Sequence, residues 1–204
     1  GQFQEEWRLA SSGRIVLHEG EELEEADEYE PLASTEERFS SAMESDVEEF
    51  YADMSKSGLS FGPAFRICRR FRHPENREVL ADIQLDEAVS VDSYGLHPTV
   101  FDASLHAILS SIRPQKGLSR GKYLPVSIDE VQLFGSAAAE AGQFYLSHVK
   151  NVTCTDTWLV GDITVRSPTS GRVLASIKNL RCRFIPGSRE VNTGEVYGIG
   201  DAQF

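Results

Sequence analysis

The sequence predicts an α+β fold in which one buried helix lies against an antiparallel sheet of about five to seven strands. Three observations carry this. Between Pro98 and Ile112 the apolar residues Val100, Phe101, Leu105, Ile108, Leu109 and Ile112 cover a wide helical face, with Ala103 and Ala107 between them. A helix with that much apolar surface must be buried. Before and after it the period changes to two, in runs rich in β-branched and aromatic residues. Gly and Pro clusters punctuate those runs as turns do.

Taken in order, residues 1–17 form a short amphipathic segment. Glu6 to Ala10 and Gly13 to Leu17 suit an end strand of a preceding unit, because so short a piece cannot be a domain. Residues 18–45 read as an acidic linker: Glu19 to Glu30 (EGEELEEADEYE) holds eight acidic residues and no basic one. The compact domain is expected over residues 46–186. Asp46 is placed to cap a helix whose Val47, Phe50, Tyr51 and Met54 recur at helical spacing and which Gly58 stops. After the turn Leu59 to Pro63, a strand over Phe65 to Arg72 puts Phe65, Ile67 and Phe71 inward and Arg66, Arg70 and Arg72 outward. Val79 to Leu85 pairs with it through Pro74-Glu75-Asn76. A loop over Ser90 to Gly95 leads into the central helix, which Pro114 ends. The remaining strands are expected at Tyr123 to Phe134, Gly142 to Lys150, Thr157 to Arg166 and Arg172 to Phe184, with a hairpin turn at Ser167 to Gly171. Residues 187–204 are polar and Gly-rich and are expected to form a flexible tail.

Composition narrows the function. A net charge of −12 over 204 residues argues against a nucleic-acid partner, since neutralising phosphates needs clustered Lys and Arg. No apolar run approaches the ~20 residues that span a bilayer and no leader peptide opens the chain, so it reads as cytoplasmic and without a membrane partner. Cys68, Cys154 and Cys182 are odd in number and lack CxxC spacing, as buried reduced thiols would be.

Asp102 and His106 stand four residues apart on the buried helix, share one face and can hydrogen-bond. As a structural pair, His106 merely satisfies an otherwise costly carboxylate. As chemistry, burial keeps a carboxyl protonated and makes it a general acid that His106 orients. A metal site needs a third ligand, with His97 the one nearby candidate, and no GxSxG context marks a nucleophile.

The stretch GLHPTVFDASLHA (Gly95 to Ala107) resembles the second catalytic motif of polyketide synthase and animal fatty acid synthase dehydratases, in which His-Pro leads into a helix bearing Asp-x-x-x-Gln or Asp-x-x-x-His. GLSFGPAF (Gly58 to Phe65) resembles the family's G-x-x-Y-G-P-x-F, YLPVSI (Tyr123 to Ile128) resembles its L-P-x-S-W/I, and WRLASSG (Trp7 to Gly13) is similar to the strand closing its first hotdog. Three ordered motifs are specific where each alone is weak. The resemblance implies the C-terminal half of a double hotdog, its antiparallel sheet wrapped around a long central helix, with residues 1–17 as the end strand of the preceding hotdog. It implies that Asp102 and His106 are catalytic, and that Phe61, Gly62, Pro63, His97, Pro98 and Pro125 line the substrate. It further implies removal of water from a β-hydroxyacyl thioester on the phosphopantetheine of an acyl carrier protein, with no metal or soluble cofactor. The expected partners are that carrier and the missing N-terminal hotdog or neighbouring synthase domains.

Two features depart from the family. Its first half supplies a His from H-x-x-x-G-x-x-x-x-P to take the α-proton, and none of His18, His73, His97, His106 and His148 has that Gly and Pro after it. Phe61 stands where Tyr is usual. A non-catalytic docking or scaffold hotdog, or a cyclase or isomerase on the same fold, is the alternative.

Overall fold

The computed structural model describes residues 9–16, 29–74, 76–91, 93–112, 121–134 and 142–186. Helix α2 (Val47–Lys56) starts where the capping argument puts it, with Asp46 Oδ1 accepting the amide protons of Glu48 and Glu49 at 2.8 and 3.0 Å. Past its end, Gly58 takes φ +83°, a backbone that favours glycine. The central helix α3 (Pro98–Ser110) has His97 as its N-cap and Pro98 in its first turn.

Among the described residues, eight strands form one antiparallel sheet. β1 (Met43–Ser45), β2 (Cys68–His73), β3 (Val79–Gln84), β6 (Phe144–Cys154), β7 (Trp158–Arg166), β8 (Val173–Pro186) and β4 (Gly121–Ser127) follow in that spatial order, while β5 (Glu130–Leu133) also pairs with β8. The expected strand Tyr123 to Phe134 is thus two, because a register shift after Pro125 bends the chain there and β4 and β5 use successive parts of β8. The sheet wraps α3, whose Val100, Ala103, Ala107 and Ile108 are fully buried among Phe71, Ala81, Val149, Ile163 and Ile177. On β7, Gly161 lets the helix in: a Cβ there would stand 2.9 Å from Ile108 Cδ1. This is the hotdog arrangement, an α+β fold.

Three local expectations need correction. Phe65 is 41% exposed, because Pro63 opens a 3₁₀ turn (Pro63–Phe65) and the strand begins only at Cys68. Arg72 does point outward, beside Arg70 and like it reaching Asp82, but it is buried rather than solvent-exposed because the helix Leu32–Phe39 covers that face. Residues 9–16 form no strand within this chain and stand exposed, Ile15 at 88%. Residues 1–8 of that segment lie outside the described part.

The acidic linker also proves to be more than a linker. Residues 17–28 and the tail 187–204 lie outside the described residues, but from residue 29 the chain packs on the sheet's outer face, through α1 (Leu32–Phe39). Phe39 is buried with Leu80 and Leu146. Ion pairs fix the helix from both sides: Arg72 reaches Glu36 at 2.6 Å and Asp82 at 2.9 Å, and Arg38 reaches Glu30 at 2.6 Å and Glu78 at 2.8 Å. Net acidic composition hid this, because the basic partner of Glu36 sits 36 positions away on β2 and that of the Glu30 carbonyl 136 positions away, at Arg166 on β7.

Glu78 also meets His148 Nε2 at 3.1 Å. Burial holds the His148 imidazole below its ordinary 6.5, against the opposing pull of Glu78. Burial pushes the Glu78 carboxyl up, and hydrogen bonds from His148, Arg38 and Asn76 more than reverse that, leaving it below its ordinary 4.5. Both folded values lie below the unfolded ones, so the unfolded chain binds more protons in acid and stability falls as pH falls.

Two outcomes follow. The melting temperature is expected to hold above pH about 6.5, to decline below it as unfolded His148 gains its proton, and to decline further below about 4.5; His148→Gln flattens the first part of that decline, leaving the smaller share of His97, whose imidazole burial also holds below its ordinary value. A slope unchanged by the substitution refutes the assignment. Gly161→Ala is expected to cost about 1–3 kcal/mol in urea unfolding through overpacking against Ile108, and Gly161→Ala with Ile108→Val less than the sum of the two single changes.

Candidate active site

Helix α3 carries the polar pair along one stripe of an otherwise apolar surface. His97 caps the helix: its Nδ1 lies 2.8 Å from Thr99 Oγ1 and accepts the Thr99 amide proton at 3.3 Å, while its ring packs edge-on against Tyr94 at 4.9 Å between centroids. One turn on comes Asp102, and one further turn His106. Nε2 of His106 stands 3.1 Å from Oδ2 of Asp102.

The two side chains face different surroundings. The imidazole retains 2% of its exposure and the carboxylate 38%. His106 therefore does not face the open side, as the shared helix face had suggested; it is walled in by Phe61, Tyr51 and Phe50 at centroid separations of 4.1, 5.7 and 6.4 Å. Burial of the Asp102 carboxyl, on which the general-acid expectation leaned, is only partial within this chain. Although Nε2 and Oδ2 are close, they are out of line for a hydrogen bond, and Nε2 has no other partner. The pair is close but its hydrogen bond is unmade, and a small rotation of either side chain would make it.

On its other side the imidazole is held. Nδ1 lies 3.3 Å from the hydroxyl of Tyr51 on α2, and that hydroxyl accepts the backbone amide proton of Cys68 at 3.4 Å. Burial pushes the Tyr51 hydroxyl well above its ordinary value and the Cys68 thiol up to about 12, so both keep their protons. Sequence reasoning placed Tyr51 among the apolar contacts of α2 and missed its polar end. A signal existed: a tyrosine on a buried face must find its hydroxyl a partner.

The other expected substrate-lining residues divide. Phe61 joins the cluster through its ring contact with His106. Gly62 and Pro63, exposed, begin the 3₁₀ turn after it. Lys122 Nζ of β4 reaches back to the Gly58 carbonyl at 2.8 Å, tying this edge strand to the start of the loop that carries Phe61. Pro98 is a helix-start residue, and Pro125 stands exposed on β4 opposite Cys182. Among the described residues no three His, Cys, Asp or Glu side chains gather as a metal site, and no helix is long and apolar enough to cross a membrane.

With this geometry in place, the chain can be compared with known proteins. The family described as "Polyketide synthase dehydratase N-terminal domain" matches residues 29–190. A highly reducing polyketide synthase, phiA, of a fungal species is 26% identical over 148 residues, which are 68% of this chain and 6% of that synthase. The dehydratase domain from the CurJ module of curacin polyketide synthase superposes with a TM-score of 0.67 at 20% identity, over 76% of this chain and 54% of that domain. The CurK dehydratase, solved as one inactive mutant with a histidine replaced by phenylalanine and another with an aspartate replaced by asparagine, superposes at 0.60 and 22% identity, over 77% of this chain and 52% of the domain. This chain therefore spans about half of those dehydratases and a small part of the synthase.

The unequal burial of the pair gives a measurable asymmetry. His106→Ala is expected to cost about 2–4 kcal/mol in urea unfolding, as large-to-small changes in packed cores do. Asp102→Asn should stay within about 0.5 kcal/mol, since its half-exposed carboxylate makes no aligned bond to lose. Equal costs would show that the carboxylate is a packing group after all.

Proposed function

We propose, because this chain belongs to the polyketide synthase dehydratase family, that it supplies the acid half of a dehydratase acting on a β-hydroxyacyl thioester. The observation that carries the reading is Asp102: a half-exposed carboxyl on the buried central helix, held against a sealed imidazole. In the step envisaged, the Asp102 carboxyl protonates the β-hydroxyl as the C–O bond breaks and water leaves. The electron pair of the α C–H bond becomes the double bond, and the α-proton passes to a histidine that this sequence does not supply. The acyl group arrives on the phosphopantetheine arm of an acyl carrier protein, in a cytoplasmic multidomain synthase, and the step as written draws on no soluble cofactor.

The description of the matching family names an N-terminal domain. We read the chain as the C-terminal half instead, on the motif around Asp102. CurK supports this by arithmetic: the histidine and aspartate whose replacement inactivates it lie farther apart in its chain than Gly1 lies from Asp102. If Asp102 corresponds to that aspartate, the histidine falls before the first residue here. The competing reading, a non-catalytic docking hotdog, rests on the same missing histidine; a cyclase or isomerase on this fold would need it as well.

The test is conversion of a β-hydroxyacyl carrier protein, followed by the mass of one lost water. The isolated chain should turn over negligibly, because a missing general base costs roughly 10²–10⁴-fold. Pairing it with a first hotdog should restore activity, and Asp102→Asn in that pair should abolish it without unfolding. Full activity of Asp102→Asn removes the assigned acid, and robust turnover by the isolated chain shows that another residue is the base.

A further inference from the structure

We infer that Tyr51 is a positioning residue for the Asp102–His106 pair: its hydroxyl donates to Nδ1 of His106 and so fixes the imidazole as the tautomer that carries its proton on Nε2, facing Asp102. The tautomer assignment stands on geometry alone, whereas its catalytic consequence rests on the dehydratase reading above.

The donor inventory decides the direction of the bonds. Tyr51 has one hydroxyl proton, and its oxygen already accepts the Cys68 amide proton at 3.4 Å. Its proton is then free to go outward, and among the described residues its hydrogen-bond partner there is Nδ1 of His106 at 3.3 Å. The Cys68 sulfur beside it is a weak acceptor whose own proton points to the Ala103 carbonyl at 3.5 Å. With Nδ1 taken as acceptor, a neutral imidazole carries its hydrogen on Nε2.

That nitrogen is buried and makes no hydrogen bond. Neither substrate nor water reaches it, so Asp102 Oδ2 at 3.1 Å is its available partner. The opposite tautomer would set a bare nitrogen lone pair against a carboxylate oxygen, and would leave the Tyr51 hydroxyl proton without Nδ1 as its acceptor. The chain of donors therefore runs from the Cys68 amide through Tyr51 to His106 and leaves Nε2–H facing Oδ2, so that a rotation closing that unmade bond would hold one oxygen of Asp102 and leave the other for a proton or a substrate hydroxyl. Phe61 completes the arrangement by packing on the imidazole without offering a polar group that could compete.

The experiment is long-range ¹H–¹⁵N correlation on this chain labelled at histidine, with His106 assigned by the signals lost in His106→Gln. At neutral pH the wild type should show Nε2 protonated and Nδ1 as an acceptor, and Tyr51→Phe, which keeps the ring, should give a mixture of tautomers. A wild type protonated on Nδ1, an imidazolium, or a tautomer ratio unmoved by Tyr51→Phe would each overturn the inference. In the dehydratase completed by its first hotdog, Tyr51→Phe should lower kcat roughly 10–100-fold with KM unchanged, the scale on which outer hydrogen-bond partners act. An unchanged kcat would remove its positioning role. Loss of the Asp102 assignment, by contrast, would show as activity in Asp102→Asn while the tautomer result stood.

Discussion

Everything else in this fold depends on how closely α3 approaches the sheet. A helix whose Val100, Ala103, Ala107 and Ile108 are fully buried has to be wrapped by strands, and the wrapping sets where its polar stripe can emerge. Gly161 allows that approach on β7, and a side chain there would push the helix outward and shift Asp102 and His106 with it. Small residues on the facing surfaces, Ala81 on β3 and Ala175 on β8, serve the same end by burial without bulk. Site geometry is in this sense inherited from packing rather than built by a loop.

The polar pair survives in such a core because its hydrogen-bonding atoms are divided by environment. His106 puts Nδ1 toward Tyr51 and its ring among three aromatic side chains, which satisfies one nitrogen and buries the carbons. Asp102 keeps partial access to water, which lowers the cost of carrying a charge at the helix surface. The unmade bond between them is the one loose element. In a packed interior such an orphaned nitrogen is uncommon, and it marks a place where a modest rearrangement gains a charge-assisted hydrogen bond.

Most of the sheet and both main helices were legible in the sequence because their signals are local. Asp46 before an apolar-periodic run, Pro98 at a helix start and Ser167 to Gly171 between two β-rich runs each act within a few residues. What escaped depends on distance. The helix α1 read as linker because its charges looked unpaired, yet Arg38 meets Glu78 and Glu36 meets Arg72 across 40 and 36 positions. Arg72 was rightly placed on the outer face of β2, but that α1 covers it there could not be read from β2 alone. At the site, the spacing of Asp102 and His106 correctly put them in reach of each other. It could not say that the imidazole faces inward, since that is decided by Phe50, Tyr51 and Phe61 arriving from other elements.

On the proposed reading, this division of environments bears on why a carboxyl of this kind would belong to half of a site. A general acid must be reached by its substrate, and it must also be neutral when the leaving group departs, a state that desolvation favours. One wrapped sheet can meet the first requirement, because the polar stripe of α3 is left partly open at Asp102. It cannot meet the second by itself, since closing the sheet further would bury the carboxyl beyond the reach of any acyl chain. A covering surface from a separate unit would resolve the conflict by desolvating the carboxyl only around a bound substrate. On the proposed reading, that surface is the same unit that brings the base, so desolvation and the second catalytic group would arrive together.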